Sequence, residues 1–254
     1  MADLHWDSIY CRRDILKRHL DEAHTRKARI IIAGDLFDAM QGKFDPRKNM
    51  DELRPEFKVN DYYGKVTSEA VKYFAPYAGD LLLLGKGNHE TAVTKNSNID
   101  ILSNLVYGLH QEYGSECIMG GYGGWIRFMF KISTIRTSIK MRYYHGTGGS
   151  APVTKGTIQT NRQAVYLPDA DVVLNGHNHN AYWLPLARER LSDKGRLYQD
   201  LIHFVRTPGY KQTWNAKEGF DIEKLPDPKP LGSVWMRMIA DGGNVRLEFT
   251  PAVE

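Results

Sequence analysis

The chain has 254 residues, 42% of them hydrophobic and 25% charged, with a formal net charge of +4 and a pI of about 8.9. That is the profile of an ordinary globular protein, and no apolar run approaches the roughly 20 residues that span a bilayer. Two cysteines, Cys11 and Cys117, are too few for a disulfide framework and lack metal-site spacing.

In chain order, Asp3-Leu4-His5 places two polar side chains two residues apart, on one side of an extended segment. Asp7 or Ser8 can cap a helix whose apolar face is Ile15, Leu16, Leu20 and Ala23, running to about residue 28. The apolar run Ile30-Ile31-Ile32-Ala33 is a strand that stops at Gly34 and delivers Asp35 and Asp38 to its carboxyl end, where α/β proteins place ligands. Residues 39–65 form a long polar excursion bearing Lys43, Arg47, Lys48, Arg54 and Lys58, read either as a rim to a site or as a solvated loop. A helix is predicted at 67–78. Leu81-Leu82-Leu83-Leu84 is a second buried strand running into Gly85-Lys86-Gly87-Asn88-His89-Glu90, and 98–112 is an amphipathic helix.

β character then takes over. Residues 125–132 and 138–144 alternate, the latter ending at His145-Gly146, and a short helix is expected near 158–166. Val172-Val173-Leu174 ends in Asn175-Gly176-His177-Asn178-His179. Strands near 181–187 and 199–206, a loop at 211–230, and a hairpin at 233–240 and 245–250 close the chain. With no internal repeat, one domain over 1–254 is the simplest organisation. The amino terminus lacks a signal-peptide pattern, so a reducing, cytoplasmic setting is the expectation.

Nine histidines are present, and five of them (His5, His89, His145, His177, His179) sit at predicted strand ends beside Asp3, Asp35 and Asn88. The other four (His19, His24, His110, His203) lie in helix or strand bodies. Packing alone does not account for such a bias. Nitrogen and oxygen donors without a thiolate suit Mn, Fe, Co, Ni, Zn or Mg. The set exceeds what one cation needs; two divalent ions sharing a carboxylate and a water would use it all.

The order DxH, GDxxD, GNHE, HG, GHxH resembles the calcineurin-like metallophosphoesterase superfamily. Here it reads Asp3-Leu4-His5, residues 34–38, residues 87–90, His145-Gly146 and residues 176–179, while the last 75 residues carry no motif. The resemblance implies an α/β fold: a four-layer α/β/β/α sandwich of two mixed β-sheets flanked by helices. It implies one metal on Asp3, His5 and His179, a second on Asn88, His145 and His177, and Asp35 bridging both. Mn is the first choice for the pair. His89 would be the general acid, with Asp38 and Glu90 behind the ligands, although a turn role is the alternative for Asp38. In the family an apolar strand precedes DxH, whereas only Met1 and Ala2 stand before Asp3. Either the chain is truncated there or Asp3 and His5 hang on a frayed terminus with a weaker first site.

The implied reaction is hydrolysis of a phosphoester, with a lean to diesters. Nucleic acid, DNA or RNA, is one substrate class, because residues 34–38 also resemble the DNA-repair exonuclease branch. The basic pI and the aromatics Tyr62, Tyr63, Trp183 and Trp214 fit a strand-tracking surface. The alternatives are a small-molecule phosphomonoesterase or cyclic-nucleotide phosphodiesterase, and a metal-binding scaffold without catalysis. A nucleophile mechanism has no support, since Ser150 lacks an elbow motif and neither cysteine has a suitable neighbour. No membrane partner is expected, and the oligomeric state is not legible.

Overall fold

The structure is a computed structural model that describes residues 1–41, 45–149, 151, 153–214 and 228–254. Lys43, Ser150 and most of the 211–230 loop therefore lie outside the described residues. Strands β1 (Ile30–Ala33), β2 (Leu81–Gly85) and β3 (Ile118–Met119) form a parallel sheet in the order β1-β2-β3. Five longer or later strands make a mixed sheet ordered β4-β5-β6-β8-β7, from β4 (Gly123–Ile132), β5 (Ile135–Tyr144), β6 (Val172–Asn175), β7 (Tyr182–Leu191) and β8 (Leu197–Arg206). In it β5, β6 and β8 run parallel, and β4 and β7 pair antiparallel at the two edges. The hairpin of β9 (Gly232–Asp241) and β10 (Asn244–Val253) turns through Gly242 and Gly243, both at positive φ as a two-residue hairpin loop demands. The chain is thus a mixed α/β protein.

Three apolar cores explain the strand patterns. One face of β1 and β2 (Ile30, Ile32, Leu81, Leu84) packs on the helices α1 (Arg13–Thr25), α2 (Tyr62–Phe74) and α4 (Ile101–Tyr113). Their opposite face (Ile31, Ala33, Leu83) meets Ile139, Met141, Tyr143, Val172, Leu174 and Val205 of the mixed sheet. Val173, Ile202 and Phe204, on the far side of that sheet, pack with Ala164 and Leu167 around α5 (Thr157–Tyr166). Strands buried on both faces read as continuous apolar runs, as β1, β2 and β6 do.

Several expectations need correction. Neither Asp7 nor Ser8 caps α1, which begins at Arg13. The Asp7 carboxylate instead accepts from the backbone N–H groups of Asp38 (2.6 Å) and Ala39 (3.0 Å). The helix expected at 67–78 begins at Tyr62, capped by Asp61 on the Gly64 N–H, and ends at Phe74 ahead of Pro76. A helix the sequence reading lacked, α3 (Asn88–Ser97), starts inside the GNHE segment. The amino terminus is not frayed. Backbone bonds from Ala33 to Met1, Asp3 to Gly34, His5 to Asp35 and Trp6 to Leu36 lay it beside β1, and Tyr210 N–H donates to the Asp3 carbonyl on the other side. The 39–65 excursion is not simply solvated either, because Leu53 and Phe57 are in the helix-side core. Among the described residues no helix is long and apolar enough to cross a membrane.

Candidate metal centre

The strand ends of both sheets, the start of α3 and the amino-terminal segment converge at one place. Turning the chain there requires a sharp change of direction. Asp3 (φ 55), His5 (φ 47), Asp35 (φ 50), His177 (φ 75) and His179 (φ 55) all adopt the left-handed backbone region. That costs a non-glycine residue about 1–2 kcal/mol, and such strain gathers at functional sites. Gly34 (φ +100) precedes Asp35; a Cβ on it would lie 2.8 Å from the Gly87 nitrogen and from His145 Cγ. The backbones of β1 and β2 can approach this closely only because both residues are glycine.

Three donor groups result, each with its ligand atoms within 4.8 Å of one another: Asp3, His5 and His179; Asp35, His145 and His177; and His5, Asp35 and His89. In the first, His5 Nε2 is 3.3 Å from His179 Nε2, which is 3.5 Å from Asp3 Oδ1. Around the second, His145 Nε2 is 3.1 Å from both Asp35 Oδ2 and Asn88 Oδ1, and His177 Nδ1 is 2.8 Å from Asn88 Oδ1. All seven ligands expected from the sequence are therefore together, and Asp35 stands in two groups. Donors each about 2.1 Å from one cation sit roughly 3–3.4 Å apart, so the spacings fit divalent ions.

The electrostatics divide the histidines into two pairs. Burial pushes the pKa of His177 down to about 4 and that of His179 well below its usual value, which keeps both imidazoles neutral as ligands must be. Burial pushes the Asp3 carboxyl up to about 6, with the nearby Asp35 charge adding to the rise. Burial also opposes the Asp35 charge, yet the imidazoles of His89 and His145 hold that carboxylate well below the ordinary range. His145 is driven up to about 10, burial being outweighed by Asp35. Burial opposes the His5 charge too, but the Asp38 carboxylate raises its pKa.

A second tier of contacts aims the ligands. His5 Nδ1 is 2.8 Å from Asp38 Oδ1, His145 Nδ1 donates to the Ala33 carbonyl at 2.9 Å, and His89 Nδ1 donates to the Asp38 carbonyl. Each leaves Nε2 facing the cluster. The Glu90 carboxylate accepts from the N–H groups of Gly87 (2.7 Å), Phe37 (3.0 Å) and Asp35 (3.1 Å), which staples the two strand-end loops together. Asp38 thus touches His5 and His89, and Glu90 the backbone that carries Asp35. His89 Nε2 lies 3.8 Å from Asp35 Oδ2, within the donor group it forms with His5 and Asp35.

Sequence reasoning gave no part in the site to Asp7 or Lys211. Asp7 holds the Asp38–Ala39 turn and accepts from the buried Tyr62 hydroxyl; its signal was there in the alternating series Asp3, His5, Asp7. Tyr62 is consequently not a base-stacking surface. Trp183 and Trp214 are exposed. Lys211 Nζ donates to Asp38 Oδ1 and to Glu52 Oε2, both at 3.0 Å, and nothing local in the sequence announces it. Arg47, from the polar excursion, is close enough for its charge to lower the pKa of His89, after burial and other neighbours.

No protein-family model matches this chain, and no curated protein matches it. Among solved structures it is similar to a Thermotoga maritima protein determined by solution NMR, at 12% identity and a TM-score of 0.24, covering 72% of each chain. It is also similar to wild-type Vps29 of Entamoeba histolytica complexed with zinc, at 12% identity and a TM-score of 0.24, covering 57% of this chain and 74% of that one. Likenesses this distant do not bear on function. The geometry of the cluster does.

Proposed function

We propose that this protein is a divalent-metal-dependent phosphoesterase of the calcineurin-like kind, built as a four-layer α/β/β/α sandwich with the site at the strand ends. The three successive cores support that layering. One observation carries the chemical reading: the buried Asp35 carboxylate lies between donor groups that take in His5 and His89 on one side and His145 and His177 on the other. Asp3, His5 and His179 would hold one cation, Asn88, His145 and His177 another, and Asp35 both. Bound there, two such ions (Mn first, with Fe, Zn, Ni, Co or Mg as substitutes) would lower the pKa of water and neutralise phosphoryl charge.

The chain's own residues do the rest. His89 donates its Nδ1–H to the Asp38 carbonyl, which leaves Nε2 toward the cluster. To protonate a leaving oxygen from Nε2 it must carry a second proton as the imidazolium, a form that burial opposes and the Asp35 and Asp38 carboxylates favour. The Asp38–Lys211–Glu52 chain fixes His5, and Glu90 fixes the loop that carries Asp35. A diester is the favoured substrate, with nucleic acid as one candidate, since the chain is basic overall.

The test is hydrolysis of bis-p-nitrophenyl phosphate, p-nitrophenyl phosphate and labelled single- and double-stranded DNA, in Mn²⁺ and in EDTA, at two salt concentrations. Metal-dependent turnover supports the reading, and DNA cleavage falling steeply with salt identifies nucleic acid as the substrate. Bound metal with no turnover of any substrate would overturn it in favour of a binding scaffold.

A further inference from the structure

A second polar cavity, of about 360 Å³, opens where the ends of β5, β6 and β8 meet α5. Arg142, Arg162 and Arg206 line it with Gln159 and Gln163, Arg142 Nη1 donating to the Gly124 and Tyr143 carbonyls, and no carboxylate is among its described lining residues. Two of these arginines differ sharply in their surroundings. Arg162 is exposed on α5, whereas Arg206 is only 2% exposed. Arg206 Nη1 donates to the Gly176 carbonyl at 2.9 Å and its Nε to the Tyr182 hydroxyl at 3.2 Å, and no described carboxylate pairs with it. A guanidinium cannot shed its proton, and burying one without an opposite charge is costly.

The amides repeat the theme. Gln163 is 5% exposed, and its Oε1 and that of Gln159 lack hydrogen-bond partners, as do both polar atoms of the buried Asn178. Buried polar groups of a folded protein are otherwise nearly always paired. An amide can turn over about its terminal bond, so each can present N–H donors to a ligand. Gly156, at φ +83, packs tightly against this group beside the cavity: a Cβ there would fall 2.5 Å from Asn178 Nδ2, 3.5 Å from Gln159 Oε1 and 3.6 Å from Arg206 Cζ. A buried guanidinium without a carboxylate, beside amides that can turn their N–H groups inward, is the environment an oxyanion completes.

We propose that this cavity is an anion site for a phosphate-class oxyanion, standing next to the metal centre. Gly146, which follows His145, lines it, and Arg206 grips the Gly176 carbonyl just before His177. The anion is either free inorganic phosphate or a second phosphate of an extended substrate. The site itself stands on its own residues; only its use as a substrate pocket rests on the phosphoesterase reading.

The experiment is calorimetric titration of inorganic phosphate into the full chain, with Mn²⁺ and again in EDTA. The wild type is compared with Gln163→Glu, which places a negative charge in the cavity, and with Arg162→Ala, an exposed change that keeps the fold safe. Circular dichroism confirms that each variant is folded. The expected result is a saturable phosphate equivalent in both conditions that both variants weaken about tenfold or more. Wild-type protein with no such equivalent in EDTA, or variants that retain wild-type affinity, would overturn the proposal. The source follows from KM: a rise in the variants for a 5′-phosphorylated dinucleotide but not for bis-p-nitrophenyl phosphate assigns the second substrate phosphate. Lost phosphate binding with an unchanged KM ratio assigns free phosphate. Failure of the phosphoesterase reading has a different signature, no turnover by the wild type while phosphate still binds.

Discussion

His5 Nδ1 and Asp38 Oδ1 stand 2.8 Å apart with both side chains only 3% exposed. The same carboxylate oxygen accepts from Lys211 at 3.0 Å. Asp38 therefore decides where His5 points, and turns its Nε2 toward His179. Asp38→Asn removes the charge that this geometry relies on. Metal affinity is expected to fall about 10–100-fold, the usual cost of losing a ligand's supporting partner. Calorimetric metal titration measures it, and an unchanged affinity removes Asp38 from that role.

Asp35 and His89 separate binding from turnover. Asp35→Asn takes away the one carboxylate shared by two donor groups, so both metal equivalents should be lost, as read by elemental analysis after gel filtration. His89→Ala leaves Asp3, His5, Asn88, His145, His177 and His179 in place. It should keep the metal and lose about 10²–10⁴-fold in rate, most of all for poor leaving groups. Intact turnover in that variant would sink the acid assignment.

Lys211 is a stability element as well. Burial opposes its charge, yet Asp38 and Glu52 hold its pKa well above the usual lysine value, and Lys211 and His5 in turn hold Asp38 well below the usual carboxylate value. For the raised lysine the stabilisation is present below about pH 10.4 and fades as pH climbs through the folded value. For the depressed aspartate it is present above about pH 3.9 and is lost as pH falls. The group is thus fully stabilising from mildly acidic to mildly alkaline conditions. Lys211→Met leaves the buried Asp38 and the partly exposed Glu52 without their lysine and should cost about 3 kcal/mol, most of it from Asp38. Urea melts across that range should show the loss at neutral pH and an acid limb shifted upward; a midpoint equal to wild type refutes this.

What was legible in the sequence is what is local in the chain. Asp35, Asn88, His145, His177 and His179 announced themselves as polar residues following an apolar strand, because strand, turn and side chain are neighbours, while Asp3 and His5 showed only in their two-residue spacing. Asp7 was visible in spacing but was misread as a helix cap, since a carboxylate before an apolar run has two uses and only tertiary contact selects one. Lys211 reaches Asp38 and Glu52 across 173 and 159 residues, and charge pairing at that range leaves no periodic trace. The left-handed backbone at His177 and His179 was equally hidden, because nothing but glycine advertises positive φ. α3 was lost inside a motif read for its chemistry.

The two thiols should be inert. Burial pushes the Cys11 thiol up to about 12 and raises Cys117 as well, and the residues are 3% and 1% exposed. Thiolate is the reactive form. At pH 8 a colorimetric disulfide reagent should label neither cysteine in the folded protein and both after denaturation. Labelling of the native protein within minutes would show that a core element opens.

Gly87 sets the tolerance of the whole centre. Its backbone lies against Asp35, so a Cβ at Gly87 would overlap Asp35 Oδ1 and fall 2.5 Å from its nitrogen and 2.7 Å from Cγ. The Gly87 N–H is simultaneously held by Glu90 at 2.7 Å, which prevents the loop from backing away. Gly87→Ala must therefore push Asp35 out of its place between the donor groups, although alanine has no difficulty with the backbone itself. Loss of metal and of activity is expected. The control is Gly79→Ala, where a Cβ meets nothing within 4 Å and the melting midpoint should stay within about 0.5 kcal/mol of wild type. If Gly87→Ala bound metal as tightly as Gly79→Ala, the close approach of the two strand ends would not be what positions the shared carboxylate.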